Sequence, residues 1–177
     1  MRGIRAPIGK RLGLDLLLIA SIAAVLTTVH VLVPSPLREQ LALRPADPQW
    51  YTLQTAAYVH ASFDHLQANL IGYLLAVSYA YWLCLYLERR QWFWQTTIGL
   101  LVITPVVVNS ANVVLYGTYL PDIDGVARGF AGVVAAFAGL LLGSFLAAIP
   151  EAHPAQLAEA VGVGLILLLL LRIDTVY

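Results

Sequence analysis

The 177-residue chain is 60% hydrophobic and only 11% charged, and its ten basic and ten acidic residues cancel to a formal net charge of zero. A soluble domain of this length needs about a quarter of its residues charged to cover its surface, so that class is excluded. The charge balance gives no footing for nucleic acid, and the single cysteine, Cys84, excludes an internal disulfide and reads as a small buried hydrophobe.

Five apolar runs follow one another, each near the roughly 20 residues that cross a bilayer. The first covers residues 14–33 and is closed by Pro34-Ser35-Pro36. Arg2, Arg5, Lys10 and Arg11 precede it as they would a secretory signal, but the run is too long and has no small-residue cleavage site before Pro34. It reads as a retained helix. A polar segment, Leu37 to Gln49, comes next, where Pro45 and Pro48 discourage a long helix. The remaining runs cover residues 65–87, 96–116, 126–149 and 155–171. Backbone in hydrocarbon must satisfy its own hydrogen bonds, so each run is expected as a helix. The expected fold is an all-α polytopic transmembrane bundle of five helices, in one domain over residues 1–177.

Lysine and arginine collect on the cytoplasmic side of membrane proteins. With the N-terminus inside, the inner segments hold Arg2, Arg5, Lys10, Arg11, Arg89 and Arg90, against Arg38, Arg44, Arg128 and Arg172 outside. Trp92 and Trp94 fit an inner aromatic belt, Trp50 and Tyr51 an outer one. The N-terminus is therefore expected in the cytoplasm, the C-terminus outside, and the start of the second run on the same side as the start of the fourth.

Strongly polar groups at membrane depth are costly and so are functional candidates. The densest set is His60, Asp64, His65 and Asn69, where the second run begins. His65 and Asn69 are four apart and share one helix face. Two donors aimed at one point could hold the oxyanion of an acyl-transfer intermediate; equally, they could cap the helix or bond a neighbouring helix. The second feature is Gly129-Phe130-Ala131-Gly132, where the fourth run begins. Glycines there let backbone approach closely, and a helix N-terminus favours a developing anion. A serine at 131 would be a plausible nucleophile, but alanine cannot attack a carbonyl.

Taken together, the stretch from Tyr58 to Asn69, with His60, His65 and Asn69 at their spacing, and Gly129-Phe130-Ala131-Gly132 resemble the rhomboid family of intramembrane serine proteases. The resemblance spans roughly Trp50 to Ile149. It implies a rhomboid-like bundle in a prokaryotic plasma membrane that cleaves transmembrane substrates when intact. It also implies His65 and Asn69 as oxyanion donors, position 131 as the nucleophile's place, His60 as support, and no cofactor or metal. Three departures stand beside it. Ala131 replaces the serine, the family's catalytic histidine belongs to a sixth helix whereas the apolar runs here number five, and Trp50-Tyr51 stands where the family often has Trp-Arg. Two expectations follow: a disarmed protease domain, or a non-proteolytic relative that binds client transmembrane helices.

Other residues do not restore the chemistry. His30 lies on the expected outer side but in a helix the family does not use. His153 falls on the inner side, and Ser144 is 13 residues beyond 131, about 20 Å along a helix. Blander readings suit the rest. Gly139 and Gly143, with Ala135 and Ala136, form a packing stripe. Asn109 and Asn112 bond across helices, Asp122 and Asp124 are too few for a calcium site, and Glu88-Arg89-Arg90 anchors a membrane boundary.

Overall fold

The computed structural model describes residues 5–120 and 125–149, with side chains from residue 11 onward. The described residues are helical throughout, apart from loops and one isolated antiparallel bridge between Leu43 and Ala127. Among the described residues four helices are long and apolar enough to cross a membrane. The fifth expected run, with His153, Asp122 and Asp124, lies outside the described residues.

Helix α1 (Arg5–Leu32) carries its charges in its first turns, up to Asp15, and beyond them shows no separate polar face, as suits a helix surrounded by hydrocarbon and other helices. It stops two residues before Pro34, because the residue ahead of a proline disfavours helical backbone. The seven-residue α2 (Ser35–Leu41) then begins with Pro36 in its first turn, where a missing N–H costs nothing. The short α3 (Thr52–Thr55) runs into a 3-10 turn, Ala56–Tyr58. Helix α4 (Phe63–Tyr86) is capped by Ser62, whose hydroxyl accepts from the His65 amide at 3.2 Å. Glu88, at φ +56°, turns the chain from α4 into α5 (Arg90–Val114), which continues as a π-helical turn, Leu115–Tyr119. Helix α6 (Ala131–Ala148) closes the described bundle.

Helix α4 is the centre, packing against α6, α1 and α5. Tyr73 on α4 is fully buried and meets Phe130 and Phe137 edge-on at 5.8 and 5.3 Å between ring centroids. Its hydroxyl donates to the Ile19 carbonyl of α1 at 3.2 Å, joining three helices at one residue. At one end of the bundle Asp15 on α1, fully buried, accepts two 2.5 Å hydrogen bonds from Arg90 of α5 and one from the Tyr81 hydroxyl of α4. Arg90 thus has a defined partner beyond the boundary role expected of it.

Three expected boundaries move. Helix α1 begins at Arg5 rather than near 14, and α5 at Arg90 rather than near 96. Helix α6 begins at Ala131 rather than near 126, because the chain before it is spent on contacts with the α2–α3 region. There Leu43 and Ala127 exchange two backbone hydrogen bonds, and Gly129 N–H donates to the Ala56 carbonyl at 2.9 Å. Asn109 does bond across helices, to the Leu53 carbonyl at 2.9 Å. Ser144 bonds within its own helix and meets Cys84, both buried.

Candidate functional site

The two polar motifs, some 60 residues apart in sequence, close on each other at the end of the bundle where α4 and α6 begin. His60 lies in the extended loop before α4 and is buried. Its Nε2 accepts a hydrogen bond from the Phe130 N–H at 3.3 Å. An amide can only donate, so Nε2 carries the lone pair and the ring's proton sits on Nδ1, which is buried without a partner among the described residues. Burial above all, and then the neighbouring His65, His30 and Arg38, lower the His60 pKa to about 4.

His65 occupies the first turn of α4, half-buried, its ring edge-on to His60 at 5.4 Å between centroids. On its other side it lies over Gly129. A Cβ built on Gly129 would stand 2.5 Å from His65 Cε1 and 2.8 Å from Nε2, and Gly129 holds φ at +118°. Both facts require glycine: the conformation is strained for any L side chain, and the space is taken. Gly132 has a looser fit, against Val108 of α5 at 3.1 Å.

Asn69, the second expected oxyanion donor, is buried, and its amide Nδ2 turns back to the His65 carbonyl at 3.0 Å. One of its two N–H groups is therefore committed within α4. Ala131 is the first residue of α6 and is exposed. Asp64 is exposed in the first turn of α4, where a negative charge suits the helix dipole.

Several residues of the site carry no signal in the sequence. Arg38 of α2 places Nη1 2.7 Å from His30 Nδ1 and 3.5 Å from the His60 carbonyl, and Nη2 3.0 Å from Ser35 Oγ. It thereby joins the end of α1, the start of α2 and the His60 loop. Tyr58 packs its ring on Phe130 at 5.7 Å and donates its hydroxyl to the Leu101 carbonyl of α5 at 2.6 Å. Arg128, just before the glycine turn, pairs with Glu39 of α2. Beforehand Arg38 and Arg128 stood out only as charges to be counted, and Tyr58 only as the first residue of the motif stretch. His30 is held by Arg38 rather than aimed at Ala131.

Chemically, the junction offers an imidazole against a glycine turn, an exposed helix N-terminus and no hydroxyl or thiol at 131. Among the described residues no group of histidine, cysteine and carboxylate side chains could hold a metal ion. No family model, curated protein or solved structure matches this chain.

Proposed function

We propose that this chain is a rhomboid-like membrane protein that holds a segment of a client transmembrane helix at the junction of α4 and α6 without cutting it. With serine at 131 and a histidine opposite, the same junction would be that of an intramembrane serine endopeptidase. With Ala131 there is no nucleophile, and acyl transfer has no first step. The N-terminus lies in the cytoplasm on this reading, as the lysine and arginine count favours, and the junction faces the other side.

The observation that carries the proposal is the approach of His65 to Gly129, so close that no side chain fits between them. Two motifs that resemble the same family from separate parts of the chain meet there. Exposure of Ala131 beside that contact leaves a surface for a client's extended backbone, and N–H groups in the first turn of α6 are suited to donate hydrogen bonds to its carbonyls.

A photo-crosslinking residue at position 131, expressed in a native-type membrane, tests the reading. Adducts with single-span membrane proteins are expected, well above those from the same residue at Val102, an exposed position midway along α5. Equal yields at the two positions would reject client holding at the junction.

A further inference from the structure

The histidines around this junction are arranged so that two of them hold their contacts only while neutral. Phe130 N–H donates to His60 Nε2, and Arg38 donates to His30 Nδ1. A guanidinium is always a donor, so His30 Nδ1 carries a lone pair as His60 Nε2 does. Adding a proton to either nitrogen would set donor against donor. At His30 it would also set cation against cation at 2.7 Å.

We propose that His30 and His60 form an acid-operated latch: neutral, they tie α1, α2 and the loop before α4 to the start of α6, and protonated, they release Phe130 and open the junction beside His65. What the opening admits rests on the client-holding reading above; the latch itself does not.

Among the described residues no carboxylate is paired with the protonated state. His60 is faced by His65 from α4, Arg38 from α2 and His30 from α1. No described carboxylate forms an ion pair with any of these four, and Glu39 on α2 is engaged by Arg128. Arg38 couples the two histidines, since the same Nη1 reaches His30 Nδ1 and the His60 carbonyl. Release of one arm therefore loosens the other. The released contact lies next to Gly129, whose φ of +118° glycine holds without strain, so the turn has the conformational freedom to move once Phe130 is free. The burial that holds the His60 pKa down to about 4 sets where the latch opens: it stays shut near neutrality and yields in acid.

The test is hydrogen exchange across residues 129–134 of the full chain in nanodiscs, corrected for the intrinsic pH dependence of exchange. Protection of the Phe130 amide is expected to fall roughly tenfold, about the weight of one hydrogen bond, as pH drops from 6.5 through about 4. His60→Gln supplies a neutral acceptor and is expected to abolish the step. His30→Gln is expected to shrink it, and serves as the deciding variant if His60→Gln does not fold. A flat wild-type profile, or an undiminished step in these variants, overturns the latch. Crosslinking at 131, repeated at both pH values, separates the two proposals. An exchange step with no client adducts at either pH leaves the latch and removes the client; adducts with no exchange step do the reverse.

Discussion

His65 lies over the α-carbon of Gly129 with no room for a methyl group between them: a Cβ there would meet the imidazole at 2.5 Å. A contact of this kind sets the spacing of α4 and α6 at the end of the bundle where both begin. Its neighbour contact, Phe130 N–H to His60, holds the same turn from the other side.

Gly129→Ala is expected to be among the most damaging single-methyl changes in the chain. The positive φ and the clash with the ring together are worth roughly 2–4 kcal/mol. Gly139→Ala is the internal control, since a Cβ there meets nothing within 4 Å, and alanine in a helix interior gains up to about 1 kcal/mol over glycine. Thermal unfolding in detergent can be followed through Cys84, the sole cysteine and a buried one, using a thiol-reactive fluorophore. Equal melting temperatures for the two variants would show that the His65–Gly129 contact is not tight.

At the opposite end, Asp15 and Arg90 are bonded partners of unequal exposure: Asp15 is fully buried, whereas the Arg90 side chain is 42% exposed. Removing the arginine strands a carboxylate in the bundle with mainly the Tyr81 hydroxyl for compensation. Arg90→Ala is therefore expected to cost about 3–5 kcal/mol, the usual penalty for an uncompensated buried charge. Asp15→Asn leaves an arginine that can turn to water, and its cost is expected to be smaller, about 1–3 kcal/mol. The ranking is what matters, and the same thiol assay reads it. Asp15→Asn proving the worse of the two would mean that Arg90, not Asp15, is the stranded charge.

Much of the bundle was legible in advance because hydrophobic runs of membrane length leave few alternatives. What was not legible depended on pairs far apart in sequence. Asp15 and Arg90 are separated by 75 residues, so Arg90 read as a boundary charge and Asp15 drew no reading of its own. The apolar run puts the start of α6 near 126, yet Ala127 and Gly129 are drawn into backbone bonds with Leu43 and Ala56. At the junction, helical spacing put His65 and Asn69 on one face, but spacing says nothing of rotamers. Asn69 turned back to its own helix. His60 and Phe130 could be brought together only by the folded chain.

Ala131→Ser is expected to fold and to remain inactive. Position 131 is exposed at the first turn of α6, so the hydroxyl costs within about 0.5 kcal/mol. A serine needs a base within hydrogen-bond reach. His60 Nε2 is taken by Phe130 N–H, and His30 Nδ1 faces Arg38. His65, over Gly129, is placed as a donor on the proposed reading. No labelling by a fluorophosphonate and no cleavage of a model transmembrane substrate are expected. Labelling that tracks a histidine substitution would show that an imidazole does reach position 131.

Pro105 explains why Tyr58 is where it is. Lying within α5 without an N–H, Pro105 leaves the Leu101 carbonyl, one turn earlier, without its helical donor. The Tyr58 hydroxyl supplies a donor at 2.6 Å, and Gln54 Nε2 adds a longer one at 3.4 Å. Tyr58→Phe should therefore leave that carbonyl only the long Gln54 contact and cost about 1–3 kcal/mol. In a Pro105→Ala background residue 105 regains an N–H that can return to Leu101, and the cost of Tyr58→Phe is expected to shrink to about 0.5–1 kcal/mol. The difference, read from a double-mutant cycle in the thiol assay, is expected to be at least about 0.5 kcal/mol. Additive effects would mean that Tyr58 matters through its ring on Phe130 rather than through its hydroxyl on Leu101. Coupling would instead show that α5 buys its proline with a tyrosine from the segment that leads into the site.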